Sequence, residues 1–182
     1  MDDLKKFTRY IKERNLLERK ITALIHRPAS LGHMGEYIAS KIFDIKLNAS
    51  AVEKGFDGIF MGGNLKGKTV NIKWYAKNEG LLDIGSDCNN RPAYYLVLTG
   101  AKLNATSSRG RTRPWVIEAV YLFDADDLVS RLEGRVKIGI ARSVKREFWE
   151  EAEIYPNQKN TRLPLSDEQR CLLALFKDSG AE

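Results

Sequence analysis

The fold is decided by two short segments, Phe56-Asp57-Gly58-Ile59-Phe60 and Val70-Asn71-Ile72-Lys73-Trp74-Tyr75. Each reads as a β-strand, and each carries polar side chains inside an apolar run. The connection Met61-Gly62-Gly63-Asn64-Leu65-Lys66-Gly67 has glycines where a chain reversal needs them. We therefore predict a β-hairpin. If Phe60 pairs near Lys68, Asp57 falls opposite Asn71.

The alternation of side chains along the second strand separates its two faces. Val70, Ile72 and Trp74 point one way, towards a core, and Asn71, Lys73 and Tyr75 point the other way. The hairpin would then bring Asp57, Asn71 and Lys73 together on one face. We interpret this face as the candidate active site.

These residue types suit the hydrolysis of a phosphodiester. A carboxylate and a second oxygen donor hold a hard cation such as Mg²⁺, and the cation polarises a phosphoryl oxygen and activates water. A neighbouring lysine ammonium orients that water or offsets developing charge. The structural alternative is simpler, because Asp-Gly is common in turns and a lone lysine on a strand is usually solvated.

Composition limits the class of protein. The chain has 182 residues, is 43% hydrophobic and 30% charged, and carries a net charge of +6, which is compatible with a polyanionic partner. Its two cysteines, Cys88 and Cys171, form no Cys-x-x-Cys pattern, so we expect a reducing cytoplasm. The sequence shows no signal-peptide pattern and no apolar run of about 20 residues, so we expect no membrane association.

Two helices are predicted before the hairpin. Apolar residues recur near a 3.6 period from Leu4 to Ile25, although Asn15 with Glu18 could cap a second helix within this segment. We interpret this segment as a packing or dimerising helix. The second helix runs from Ser30 to Phe43. It carries Glu36, which we place in the first turn, where the helix dipole favours a carboxylate. The alternative, that Glu36 reaches a metal, stays open.

The remaining elements complete an α/β order. We expect a buried strand at Tyr94–Leu98, another strand at Trp115–Phe123 and a short helix from Asp124 to Leu132. Further expected elements are a weak strand or turn within Ile45–Val52, a strand at Val136–Ile140, a helix at Lys145–Glu151, and a last helix opened by a capping box at Ser166 and Gln169. This order predicts a mixed central sheet flanked by helices.

A basic loop lies between the last two long strands, from Ala105 to Pro114. It carries Arg109, Arg111 and Arg113 among hydroxyl residues, a composition typical of contacts to phosphate groups. The alternative is a solvated basic loop without function, which composition does not reject.

The pattern of a helix glutamate, an aspartate at the head of one strand, and a polar residue two before a lysine on the next resembles the PD-(D/E)XK nuclease superfamily. The chain as a whole also resembles a family of uncharacterised restriction-endonuclease-like prokaryotic proteins. The match covers roughly His26 to Phe176. Its segments are Gly32–Ala39, Gly55–Gly58, Gly67–Tyr75, Ser107–Gly110, Arg113–Ile117 and Leu163–Gln169.

This resemblance implies a restriction-endonuclease-like fold, with residues 1–182 as one domain, 1–27 as an N-terminal helical extension and 163–182 as a C-terminal helix. It implies a Mg²⁺-dependent DNA endonuclease, with Mn²⁺ able to substitute. Asp57 would be the main metal ligand, with Asn71 and Glu36 as further ligands, Glu36 directly or through water. Lys73 would orient water.

The same resemblance implies two binding partners, duplex DNA and a second copy of the chain, but two positions differ from the family pattern. Duplex DNA would be held by the arginine loop and by Lys77, and cleavage of both strands would favour a homodimer. Phe56 stands where the name-giving proline would be. Asn71 replaces the usual acidic residue, and because its amide is uncharged we expect weaker metal binding.

Two other functions stay open. The chain could be a nuclease-fold protein without catalysis that binds nucleic acid or another protein, which Asn71 favours. It could also be a nuclease that cleaves structured RNA.

Overall fold

The computed structural model describes residues 2–49, 55–85, 90–101, 114–132 and 142–178. Its centre is a sheet of six strands in the order β1-β2-β3-β5-β6-β8, in which β3 and β5 are parallel and the other neighbours antiparallel. The strands are β1 Ile45–Leu47, β2 Gly58–Phe60, β3 Thr69–Tyr75, β5 Tyr94–Thr99, β6 Ala119–Asp124 and β8 Glu153–Tyr155. A separate antiparallel pair joins β4 Leu81–Leu82 to β7 Arg142–Ser143.

Helices cover both faces of the sheet. They are α1 Asp2–Ile25, α2 Leu31–Ile42, α3 Ala125–Leu132, α4 Arg146–Ala152 and α5 Asp167–Ala174, with a short 3-10 turn at Gly63–Leu65. The predicted α/β class with a mixed sheet is therefore confirmed. In the part of the chain that the structure describes, no helix has the length and apolar character needed to cross a bilayer.

The two faces of the sheet pack against different helices. Val70, Ile72, Trp74, Leu96 and Leu98 belong to one core, which they share with α2 and with Leu173 of α5. The residues between them on the central strand, Tyr95 and Val97, belong to a second core with α3 and α4. The predicted strand at Tyr94–Leu98 is thus buried on both faces, as its continuous apolar run indicated.

Local capping explains where three helices begin. Ser30 accepts a bond from the His33 backbone N–H at 3.3 Å, which starts α2. Asp124 accepts from the Asp127 N–H at 3.1 Å before α3, as the sequence predicted. The predicted capping box of Ser166 and Gln169 is present at α5.

The structure changes several predicted boundaries. The N-terminal segment is one helix, so the capping box suggested within it does not divide it. The strand predicted at Trp115–Phe123 begins only at Ala119, because the preceding residues make no ladder. The sequence analysis missed β4, β7 and β8, which have only two or three residues each. The strand predicted at Val136–Ile140 lies outside the described residues.

Candidate active site at the open end of the hairpin

The hairpin of β2 and β3 has the predicted register. The Phe60 N–H donates to the Lys68 carbonyl at 3.0 Å, and the Gly67 N–H donates to the Phe60 carbonyl at 2.8 Å. Gly67 has a φ of +81°, a left-handed conformation that glycine adopts without steric cost. Gly58 pairs with Val70, so the next residue outwards, Asp57, stands across from Asn71.

Asp57 lies where the ladder between the two strands ends. Its N–H donates to the Val70 carbonyl at 2.8 Å, and its own carbonyl accepts from the Asn48 N–H at 2.9 Å. Its carboxylate Oδ2 accepts from the Ile72 N–H at 2.6 Å and so continues the ladder with a side chain. These bonds hold the carboxylate against the backbone of β3, between Asn71 and Lys73.

Asn71 has a buried amide oxygen without a partner. Its Oδ1 is excluded from solvent and accepts no hydrogen bond from the described residues. Leaving such a group unsatisfied costs about 1–3 kcal/mol. A cation or a water at this position would remove that cost, because an amide oxygen is a ligand for hard cations.

Lys73 points to the same side of β3 as Asn71, since the buried residues of this strand are Val70, Ile72 and Trp74. The lysine is half-buried. Its ammonium makes no hydrogen bond or ion pair with any described residue. It nevertheless lies close enough to Asp57 and Glu36 to lower the pKa of both carboxyl groups. The site therefore contains a cation that no fixed counter-ion neutralises within the described chain.

Glu36 approaches from the other side of the sheet. Helix α2 packs on the face that bears Trp74, where a Cβ on Gly35 would lie 2.8 Å from the Trp74 Cβ. From α2, the Glu36 carboxylate lies near enough to Asp57 and Lys73 for their charges to change its pKa. The expectation that Glu36 lies in the first turn is wrong, because α2 begins at Leu31 and its first turn has no acidic residue.

Arg27 is the site residue that sequence analysis missed. Its Nη1 forms an ion pair with the Glu36 carboxylate, and its Nη2 donates to the Asn48 carbonyl at 2.7 Å. It also lowers the pKa of Asp57. Arg27 lies two residues beyond the end of α1, and no motif in the sequence marks it, so only the three-dimensional packing identifies it.

The two carboxylates share one electrostatic environment. Burial raises the pKa of Glu36, and the negative charge of Asp57 raises it further, against opposing effects of Arg27, His33 and Lys73. Burial also raises the pKa of Asp57, against the hydrogen bond from Ile72 and the charges of Lys73 and Arg27. Both groups are thus less stable as anions here than in water. A bound divalent cation would reverse that effect.

The oxygen ligands of this site suit a hard cation, although one of the two carboxylates is already paired to an arginine. It comprises two carboxylates and one unpaired amide oxygen, all oxygen ligands. Among the residues described, no group of three or more His, Cys, Asp or Glu side chains could hold a metal ion. The ligand set proposed for this site includes Asn71, whose amide is not among those four residue types. Its Glu36 is already paired to Arg27.

The other candidate residues have different partners or lie outside the described residues. Lys77 is ion-paired to Glu79, which reduces the charge it could offer to a phosphate. The His33 ring contacts the Pro28 carbonyl at 3.0 Å, and its charge lowers the pKa of Glu36. The arginines of the basic loop, Arg109, Arg111 and Arg113, lie outside the described residues.

The comparisons with known proteins give this arrangement no family. No family model matches the chain, and no curated protein matches it. The functional interpretation therefore depends on the residues of the site alone.

Proposed function

We propose that the chain is a metal-dependent endonuclease that hydrolyses phosphodiester bonds in duplex DNA, and that its mixed sheet is of the restriction-endonuclease-like type. One observation carries this proposal. A carboxylate converges where β2 ends with an amide oxygen and a lysine that have no partner among the described residues, and the lysine acts electrostatically on the carboxylates.

Each residue has a chemical role in this proposal. Asp57, Asn71 and Glu36 would hold Mg²⁺, which when bound supplies charge neutralisation at the phosphoryl oxygen and activates water. Asp57 is pre-oriented by the Ile72 N–H at its Oδ2, and its Oδ1, which accepts no hydrogen bond from the described residues, would be the ligand atom. Lys73 would hold the attacking water in line or stabilise charge that develops on the phosphoryl group. Arg27 would keep Glu36 extended towards Asp57.

The test is cleavage by the purified full chain with Mg²⁺ or Mn²⁺. The substrates are supercoiled plasmid, linear duplex, single-stranded DNA and structured RNA. We expect cutting of duplex DNA that EDTA abolishes and that is lost in Asp57→Asn, which keeps an acceptor for the Ile72 N–H. Glu151→Gln is the matched control, since Glu151 is an exposed carboxylate paired with Arg131. Cleavage of RNA alone would reassign the substrate, and no cleavage of any substrate would contradict the proposal.

A second candidate function has support from two observations. Asn71 supplies no charge, and Arg27 neutralises Glu36, so the site has less negative charge than two free carboxylates and an acidic third ligand would give. A non-catalytic protein that binds nucleic acid is consistent with this. It predicts salt-dependent DNA binding that Asp57→Asn leaves unchanged, without cleavage.

A further inference from the structure

The N-terminal helix α1 is largely uncovered. It has 24 residues and is therefore about 36 Å long. None of these residues is buried. Among the residues that the structure describes in α1, only Ile21 and Ile25, near its C-terminal end, pack against the first core. Large apolar side chains are exposed along the rest of the helix: Leu4, Phe7, Tyr10, Ile11, Leu16, Leu17 and Leu24.

An exposed helix with this many large apolar side chains is expected to pack against another surface. Isolated helices are marginal in water, and most helices in proteins are stabilised by packing of an apolar face. Scattered exposed apolar residues are ordinary, but a contiguous patch marks an interaction site. Leu4, Phe7 and Ile11 form such a patch, because at 100° per residue they lie within an arc of about 60°.

The spacing on this face is that of a two-stranded helix pair. Positions alternate in steps of three and four, the spacing of the core positions of a heptad, through the series Leu4, Phe7, Ile11, Arg14, Glu18, Ile21 and Ile25. Tyr10, Leu17 and Leu24 flank this stripe on one side. Most basic residues of α1 lie on the opposite side of the helix: Lys5, Arg9, Lys12, Arg19 and Lys20.

The two charged members of the stripe select a second copy of the chain in one orientation. Arg14 and Glu18 form an ion pair at 2.7 Å within one helix, and both are exposed. If two α1 helices run antiparallel about a two-fold axis beside residue 16, Arg14 of each copy faces Glu18 of the other. A parallel pair would place Arg14 on Arg14, and like charges would repel.

The same axis also matches the apolar side chains. It places Ile11 of one copy opposite Ile21 of the other, a residue that its own core covers only in part, and Leu17 of each copy near the axis. We propose that α1 is a dimerisation helix whose apolar stripe packs antiparallel against α1 of a second copy. This proposal does not depend on the proposed nuclease activity.

The test measures the mass of the full chain in solution by light scattering and sedimentation. We expect a dimer for the wild type, and at least about a 100-fold weaker dimer for Phe7→Glu and Leu17→Glu, because Phe7 lies in the apolar stripe and Leu17 lies beside the axis, so each would place an unpaired charge within the interface. Leu16→Glu is the matched control. Leu16 is 47% exposed and Leu17 58% exposed, but Leu16 points away from the stripe and its variant should remain dimeric.

A charge exchange tests the orientation. Arg14→Glu and Glu18→Arg should each weaken the dimer, and the double variant should restore it. With Cys88 and Cys171 replaced by serine, Leu17→Cys should form a disulfide-linked dimer across the axis. A chain that is monomeric at all accessible concentrations would overturn the proposal, as would equal weakening by Leu16→Glu and Leu17→Glu. Neither result would bear on cleavage by the Asp57 site.

Discussion

Two clusters of charged side chains use the same residue types in opposite ways. A groove beside α3 and α4 is lined by residues that include Asp124, Phe148 and Arg162. In this groove Arg131 pairs with Glu151 through bonds of 2.6 and 3.2 Å and stacks 3.7 Å above the Phe148 ring. That pairing lowers the pKa of Glu151. At the end of β2, burial raises the pKa of Asp57 and of Glu36. The groove stabilises its charges, whereas the hairpin site leaves its anions partly uncompensated.

This difference separates a structural cluster from a candidate functional one. Exposed ion pairs keep their water and gain a partner, so they need no ligand. Half-buried carboxylates beside an amide and a lysine that have no partner within the described segments have lost water without full replacement. Groups of the second kind concentrate at functional sites.

The largest expected effect is on catalysis. If the proposed function is correct, Lys73→Met should lower the rate of DNA cleavage by roughly 10²- to 10³-fold, the usual effect of losing one group that stabilises transition-state charge. Arg131→Met removes a cation from the groove and should leave the cleavage rate close to that of the wild type. Single-turnover rates on one duplex substrate measure both. If both variants lost cleavage rate equally, the hairpin site could no longer be distinguished from the groove as the functional cluster.

The next effect concerns metal affinity. Asn71→Asp adds a negative charge at the unpaired oxygen, so Mg²⁺ should bind about 10-fold more tightly or better. Calorimetric titration of the metal into wild type and variant measures the change, and cleavage at limiting Mg²⁺ should increase in parallel. Asp124→Asn, at the Arg162 ion pair in the groove, is the control and should leave the affinity unchanged. Weaker binding to Asn71→Asp would contradict the assignment of Asn71 as a ligand.

A smaller effect should appear in thermal stability. Mg²⁺ at ten times its dissociation constant stabilises the folded state by about 1.4 kcal/mol, which raises Tm by roughly 3–6 °C for a chain of this size. Asp57→Asn should lose this rise. Differential scanning calorimetry with Mg²⁺ and with EDTA makes the comparison. Retention of the full rise in the variant would show that the ion binds elsewhere.

The smallest effect is on the pH dependence of stability without metal. Because the pKa of Asp57 is raised in the folded state, folding favours the protonated carboxyl. The contribution of the protonated carboxyl to the stability of the folded state is lost as pH rises through that pKa. Asp57→Asn should therefore gain Tm relative to wild type at alkaline pH, and the gain should disappear in acid. Glu151 has a lowered pKa, so its contribution is lost as pH falls. Glu151→Gln should then have a slightly lower Tm than the wild type at neutral pH and the same Tm in acid. If the Tm difference from wild type changed with pH in the same way for both variants, the comparison would be contradicted.

Part of the site was predictable because strand parity is a local property. The alternation of Val70, Ile72 and Trp74 with Asn71 and Lys73 follows from the period of the β-strand alone. The turn glycines and the Phe60–Lys68 pairing placed Asp57 opposite Asn71 correctly. Long elements with strong patterns, such as α1, α2 and the strand at Tyr94–Thr99, were predicted for the same reason.

Other features were not predictable, because they depend on residues distant in the chain. The position of Glu36 relative to Asp57 depends on how α2 packs against β3, and a local dipole argument placed it wrongly. The ion pair of Arg27 with Glu36 joins the end of one helix to the middle of the next. The shortest strands carry too few residues for a periodic pattern, so only their partners define them.

The sequence by itself determined the α/β class, the hairpin and the faces of its strands, since periodicity and turn chemistry act between near neighbours. Only the tertiary structure decided that the ladder stops at Asp57, that its carboxylate accepts a hydrogen bond from the Ile72 N–H, and that the Asn71 oxygen is buried with no partner in the described part of the chain. The physical reason is that burial and charge compensation are set by the groups that surround a side chain in space, which come from several parts of the chain.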